Sequence, residues 1–198
     1  MSSDDGLPTI AFSSPEAWER WLEDNHRASD GVWIKMGKKQ AGVESVRYPE
    51  VLECALCFGW IDGRREALDE RHFLQRFTPR RPRSRWSRIN RDTAERLITD
   101  GRMRPAGLAE VERAGADGRW EAAYEGQRSI AVPADLQREL DARPSASAFF
   151  AELSSQNRYA ILYRLGSVKQ QATRERRIEQ FVAMLARGET IYPQKRTL

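Results

Sequence analysis

The sequence predicts an α+β fold, in which a small antiparallel sheet packed by helices forms the N-terminal half and an all-helical module follows. Alternating apolar and polar residues, which are typical of half-buried strands, lie in the first half of the chain. The second half shows the spacing of three to four residues that is typical of amphipathic helices. No apolar run reaches the roughly 18 residues that a membrane-spanning helix needs, so we expect no insertion into a membrane.

Helix and strand signals alternate at the start of the chain. The segment 13–16 predicts a helix start, because serine caps helices well and a proline suits the first turn. Strands are expected at 32–36 and, more briefly, at 43–48. A further helix is predicted over 49–59, again with a proline in its first turn. This alternation indicates helices that pack against a small sheet.

A turn, a strand and a helix are predicted next. The segment 60–63 contains Asp-Gly, a dipeptide typical of hairpin turns, and is therefore expected to be a turn. Residues 71–77 alternate in polarity as a half-buried strand does. Ser87 or Asn90 is expected to cap a helix that ends near Gly101.

Only helices are predicted in the remainder of the chain. Pro105 begins a short helix, and the polar segment 115–127, which contains glycine, is the expected linker. Further helices are expected to begin at Pro133, Ser147, Ser154 and Thr173. These boundaries predict an α+β domain over 1–103, a helix and linker over 104–130, and a helical C-terminal module over 131–198.

Positive charge is concentrated between residues 64 and 91. That segment contains ten arginines and three acidic residues and carries +7, whereas the whole chain carries +4. Phe73, Phe77 and Trp86 lie among these arginines. The guanidinium group matches phosphate and carboxylate with paired hydrogen bonds and also stacks on aromatic rings. The segment is therefore the best candidate for an anion-binding surface.

Two plainer explanations of the arginine cluster stay open. The chain has 28 arginines and five lysines, a bias that a GC-rich genome produces without selection for the guanidinium group. That bias explains why the cations are arginine, but not why they collect in one segment. Some of these arginines are also expected to pair with the neighbouring acids Glu66, Asp69 and Glu70.

Candidate ligand-binding residues lie on both sides of the predicted strand 71–77. Helix N-termini favour anions because their first N–H groups have no partner within the helix, and hydroxyl and indole groups add donors and walls. The predicted ligand-binding residues are Trp60, Asp62, Arg64, Arg80, Arg81, Ser84, Trp86, Ser87 and Asn90. No catalytic residue is assigned.

Recognised catalytic, nucleotide-binding and metal motifs are absent from the sequence. Cys54 and Cys57 form a C-x-x-C within an apolar helix, where cysteine packs as a small hydrophobe. Together with His26 and His72 they match no zinc spacing. We therefore predict no metal and no cofactor. Cysteine usage and an acidic N-terminus, which is unlike a signal peptide, predict a cytoplasmic location.

Two segments carry a resemblance to a known family. CFGWIDGRR (57–65) and RFTPRRPRSRWSRIN (76–90) resemble the signature of the YdeI/OmpD-associated proteins, known as bacteriocin-protection proteins. The resemblance extends through 21–39 and to a helical module containing 173–189. At 165–169 this chain has Leu-Gly-Ser-Val-Lys in place of the family's Trp-Ile-x-x-Ala-Lys run. The resemblance implies tolerance to bacteriocins or cationic antimicrobial peptides, and it implies no reaction.

Three hypotheses for function follow. The preferred one is a non-enzymatic cytoplasmic protein of stress or antimicrobial resistance that binds an anionic small molecule, a nucleic acid or an acidic protein surface through residues 60–91. The second is an enzyme acting on a small phosphorylated or carboxylated metabolite, with Asp62 as acid, base or orienting group. The third is an adaptor that docks an acidic protein. A closed pocket around Asp62 would favour the enzyme, and an open arginine surface would favour the binding protein.

Overall fold

The computed structural model describes residues 6–126 and 130–194, and it divides the chain into two units. The first unit ends at Ala123 and the second begins at Tyr124. The predicted α+β class is confirmed, because the first unit holds a four-stranded sheet with helices and the later elements are helices. Within the described ranges, no helix is both long and apolar enough to cross a bilayer.

The first unit combines four strands with four helices among its described residues. Its strands are β1 Thr9–Ile10, β2 Val32–Gly37, β3 Trp60–Ala67 and β4 His72–Pro79. Its helices are α1 Pro15–Asn25, α2 Tyr48–Cys57, α3 Arg88–Thr99 and α4 Pro105–Ala116. The strand order is β1-β2-β4-β3, and all pairs are antiparallel except β1 with β2.

Four predicted helix starts in this unit agree with the structure for local reasons, and one of them is Pro105, the first residue of α4. Ser14 caps α1 by accepting the N–H of Ala17 at 3.3 Å. Ser87, and not Asn90, caps α3 by accepting the N–H of Asn90 at 3.2 Å. A proline in the first turn begins α2, as expected. The hydroxyl and proline signals predict these starts correctly because they act within three residues of the helix end.

Two predictions in this unit are wrong. The segment 60–63 is not a turn but part of β3, because Trp60 is buried in the core and pairs with Pro79 of β4. Core burial and strand pairing outweigh the local preference of Asp-Gly. The segment 43–48 is not a strand, since Tyr48 begins α2 and the preceding residues have no regular structure. The Ser45 hydroxyl there accepts the N–H of Gly37 at 3.0 Å, a side-chain contact instead of strand pairing.

The core of the first unit lies between one face of the sheet and helices α1 and α2. Its centre is aromatic. The Trp18 ring stacks on the Trp21 ring, with 5.3 Å between the ring centroids, and it meets the Trp60 ring edge-on, with 6.2 Å between the centroids. Helix α4 packs very closely on the end of α2 at Gly107. A Cβ at Gly107 would lie 2.3 Å from the carbonyl oxygen of Cys57, so only glycine permits this approach.

The second unit contains α5 Ala134–Asp141, α6 Pro144–Ala151, α7 Ser155–Gly166 and α8 Gln171–Ala186. Their inward faces form one apolar cluster, which includes Leu136, Phe150, Ile161 and Val182. The predicted starts at Pro133 and Ser154 agree with the observed N-caps of α5 and α7.

Two predicted starts in the second unit are displaced. Helix α6 begins at Pro144, not Ser147, because proline has the φ angle that the first helical position needs. Helix α8 begins at Gln171, two residues before the predicted Thr173. The expected linker 115–127 overlaps the end of α4 and a turn, and its last residue, Gln127, lies outside the described residues.

Candidate anion-binding site

The segment after β4 forms a β-turn that presents two arginines to solvent. The N–H of Ser84 donates to the carbonyl of Arg81 at 2.8 Å, which closes the turn Arg81-Pro82-Arg83-Ser84. Proline at the second position fixes φ near the value that this turn requires. Arg81 and Arg83 are both exposed. We call residues 81–84 the arginine turn.

Arg80 supports the arginine turn from inside the protein. Its residue is only 5 % exposed, and its guanidinium carbon lies 3.5 Å from the centroid of the Trp86 ring. Its Nη1 donates to the carbonyl of Arg85 at 3.3 Å and to the Ser84 hydroxyl at 3.5 Å. Such a desolvated cation–π contact is worth roughly 2 kcal/mol. Arg80 therefore holds the loop rather than facing solvent as a ligand group.

Arg119 supports the same turn from the segment that follows α4. Its Nη1 donates to the carbonyl of Ser84 at 2.6 Å. Its Nε donates to both carboxylate oxygens of Asp117 at 2.8 Å, and this contact lowers the pKa of the Asp117 carboxyl. The neighbouring Trp120 packs edge-on against Trp86 at 4.8 Å. Sequence reasoning missed Arg119 because it lies within the expected linker, 35 residues from its acceptor.

An open depression of about 400 Å³ lies beside the arginine turn, and we call it the arginine depression. It is lined by Ile61, Arg76, Thr78, Pro79, Arg81, Arg83 and Ser84. Three of these residues are cations, two carry hydroxyls, and none is acidic. Arg81 and Arg83 have no ion pair or hydrogen bond from their side chains within the part of the chain that the structure describes. The guanidinium groups of Arg81 and Arg83 are thus available to a ligand, and the hydrogen-bonded turn holds their backbone in place.

A β-bulge in β3 directs the neighbouring arginines elsewhere. The pairing of β3 with β4 shifts between Asp62 and Arg65, and the buried amide of Gln75 donates to the Gly63 carbonyl at 2.9 Å. The guanidinium carbon of Arg65 lies 3.6 Å from the centroid of the Phe73 ring. Arg64 forms an ion pair with Glu66 and lies 5.5 Å from the Trp33 ring. Neither arginine lines the arginine depression.

The structure distributes the nine sequence-predicted site residues over several places. Arg81 and Ser84 line the arginine depression. Trp60 and Arg80 line a different hollow of about 210 Å³. The remaining five residues, Asp62, Arg64, Trp86, Ser87 and Asn90, line neither. The depression also includes Arg76, Thr78 and Arg83, which the prediction did not name although they lie in the same arginine-rich segment.

The five residues outside both hollows have other contacts. Asp62 accepts the hydroxyl of Tyr48 at 2.8 Å. Trp86 is 1 % exposed and packs against Arg80. Ser87 and Asn90 form the N-cap contact of α3. These contacts stabilise the fold, and none of them requires a ligand.

The cysteine pair is buried and unreactive in character. Cys54 and Cys57 are both free thiols. Burial raises the pKa of Cys54 to about 12 and that of Cys57 to about 11. Since the thiolate is the nucleophile and the metal ligand, these side chains act as core residues at neutral pH. Among the residues described, no three potential metal-ligating side chains cluster together.

These features define an α+β domain with an arginine depression, followed by a helical module. The chain belongs to the family described as "Domain of unknown function (DUF8412)", which matches residues 10–110, half of the chain. Residues 129–188 match the family described as "Bacteriocin-protection, YdeI or OmpD-Associated". The resemblance to this family is therefore confirmed over residues 129–188, which lie mainly in the C-terminal module. The segments 57–65 and 76–90 lie within the first match.

Comparisons with curated proteins and with solved structures give no match.

Proposed function

We propose that the chain is a non-enzymatic cytoplasmic protein that binds an anionic group of a ligand or partner in the arginine depression. We further propose that this binding serves bacteriocin protection or stress resistance. One observation carries the binding proposal: Arg81 and Arg83 project from a hydrogen-bonded turn into a depression that no carboxylate lines.

The turn geometry favours binding because the backbone is fixed before a ligand arrives. Arg80 and Arg119 donate to three acceptors of residues 84–85, so the turn has little freedom to lose. Preorganisation of this kind lowers the entropy lost on association. Guanidinium groups and the hydroxyls of Thr78 and Ser84 then supply donors to phosphate or carboxylate oxygens.

The absence of acids from the lining also favours binding over internal pairing. Several other exposed arginines of the first unit already have partners, for example Arg104 with Glu19 at 2.9 Å and Arg102 with Glu53 at 2.7 Å. An arginine in such a pair must give up its carboxylate before it binds a ligand. Arg81 meets no such competition from its surroundings in the depression.

The enzyme hypothesis receives less support from the geometry. It needs Asp62 in a pocket with arginines, whereas Asp62 accepts the Tyr48 hydroxyl and lines neither the arginine depression nor the neighbouring hollow. The match of residues 129–188 to the bacteriocin-protection family supports the protective part of the proposal. Free thiols at Cys54 and Cys57 agree with the proposed cytoplasmic location.

Binding to a labelled 20-nucleotide single strand, pyrophosphate and an oligoglutamate peptide tests the proposal. Fluorescence anisotropy and competition at low salt are expected to show binding that Arg81→Glu with Arg83→Glu weakens by about tenfold or more, since charge-assisted hydrogen bonds contribute roughly 1.5–3 kcal/mol each. The loss of two phosphate contacts should also reduce the salt dependence of nucleic-acid binding by about two ions.

The matched control is Arg138→Glu with Arg176→Glu, which changes the net charge equally but uses exposed residues of the second unit. It should bind the probes nearly as well as the wild type. If both double variants lose affinity equally, net charge and not the depression governs binding. If none of the three probes binds the wild type at low salt, the proposal is wrong.

A further inference from the structure

His26 closes the C-terminal end of α1 and is held in place from several sides. Its backbone N–H donates to the Leu22 carbonyl at 2.9 Å, and its carbonyl accepts the indole N–H of Trp60 at 3.2 Å. Its ring lies 5.2 Å from the ring of Phe58. The imidazole is therefore oriented before any ligand binds.

The hydrogen bond of the imidazole determines which of its nitrogens is available. Nδ1 lies 2.8 Å from the carbonyl oxygen of Leu22. A carbonyl only accepts, so Nδ1 carries the hydrogen, and in the neutral ring Nε2 is left with a lone pair. Within residues 6–126 and 130–194, Nε2 has no hydrogen-bond partner.

Two adjoining hollows of about 200 and 210 Å³ share His26, Arg27, Phe58 and Ala106. We call them the histidine hollows. A cavity of about 150 Å³ holds benzene, so each hollow has room for one small ring or a short chain. Both lie within the first unit, and neither includes Arg81 or Arg83.

The charges around the histidine hollows are mostly committed. Arg104 pairs with Glu19 and Glu23, and Glu110 pairs with Arg113. Arg80, which lines one of the hollows, donates to the Arg85 carbonyl and stacks on Trp86. Arg27 is exposed, and its side chain has no ion pair or hydrogen bond among the described residues. The polar groups available to a ligand are thus the Arg27 guanidinium and Nε2 of His26, and both line the hollows together with the Phe58 ring.

We propose that the histidine hollows bind a small hydroxycarboxylate. Its carboxylate pairs with Arg27, its hydroxyl donates to Nε2 of His26, and its carbon skeleton contacts Phe58. The lining of the two hollows holds three arginines and two glutamates and so carries +1 (Arg27, Arg80 and Arg104 against Glu23 and Glu110). A monoanion balances this charge, whereas a phosphate dianion exceeds it. This site is separate from the arginine depression and does not depend on the function proposed for it.

Lactate and propionate test the proposal, since they differ only in the hydroxyl. In an NMR titration of ¹⁵N-labelled protein at pH 8, lactate should shift the ¹⁵N signal of His26 Nε2. Lactate should also bind about tenfold more tightly than propionate, because propionate has no hydroxyl to donate to Nε2. Inorganic phosphate should bind more weakly than lactate. Equal affinity for lactate and propionate, tighter binding of phosphate, or a spectrum with the hydrogen on Nε2 would overturn the proposal.

Variants separate the roles of the two groups. Arg27→Gln should weaken the binding of lactate and of propionate alike, and Arg20→Gln at an exposed position of α1 should change neither. His26→Asn keeps a donor for the Leu22 carbonyl but removes Nε2, so it should abolish the preference for lactate. Arg81→Glu with Arg83→Glu should leave lactate binding unchanged, so the two sites can fail independently. A preference for lactate that survives His26→Asn would refute the assignment.

Discussion

Replacing Arg119 with methionine should loosen the arginine turn although residue 119 does not line the depression. The substitution keeps an apolar stem and removes the donor to the Ser84 carbonyl, which lies 2.6 Å from Nη1. A hydrogen bond from a charged donor contributes roughly 1.5–3 kcal/mol. The Arg119 side chain is 16 % exposed, so water can replace part of the lost hydrogen bond. We therefore expect a loss of about 1–2 kcal/mol in the free energy of unfolding.

The same substitution should weaken pyrophosphate binding severalfold, since the freed turn must be ordered again when the ligand binds. Urea denaturation and calorimetric titration measure the two effects separately. The control is Arg113→Met on α4, which removes an ion pair with Glu110 and leaves the turn untouched. If Arg119→Met lowers stability but binds pyrophosphate as tightly as the wild type, the link between turn order and binding is refuted.

Three further predictions concern packing, pH and thiol reactivity. Gly107→Ala should destabilise the protein by several kcal/mol on denaturation, because its Cβ would lie 2.3 Å from the Cys57 carbonyl oxygen; Gly115→Ala in the same helix meets nothing within 4 Å and should stabilise by roughly 0.5–1 kcal/mol. Arg174 forms an ion pair with Asp135 and lowers the pKa of that carboxyl. The stabilisation from this pair is present above the ordinary carboxyl pKa and should be lost as the pH falls below about 4, and Asp135→Asn should not show this loss. Cys54 and Cys57 should resist a thiol reagent at neutral pH until the protein is unfolded, and fast labelling of the native protein would contradict their burial.

Local signals were enough to predict much of the fold. Ser14, Ser87 and Ser154 each cap a helix through a contact to the residue three positions later, so the sequence alone contains both partners. The turn expected at 60–63 fails for the opposite reason. Trp60 belongs to a core that includes Trp18 of α1 and Phe77 of β4, so its burial is decided by residues distant in the sequence.

The candidate site was predicted as a segment but not as a set of side chains. Charge counting located the arginine cluster, yet it treated Arg80 and Arg81 alike. In the structure Arg80 stacks on the buried Trp86, whereas Arg81 faces the depression. Composition cannot distinguish the two, since the difference depends on a turn closed by Ser84 and on Arg119 from a later segment.

Side-chain NMR of the arginines during a pyrophosphate titration distinguishes binding in the arginine depression from a general attraction to exposed arginines. We expect the Nε–H signals of Arg81 and Arg83 to shift together and to saturate at one dissociation constant, whereas the signal of Arg80, stacked on Trp86, should shift little. Shifts spread without saturation over exposed arginines in general, or Arg81 and Arg83 signals that do not move, would contradict binding in the arginine depression.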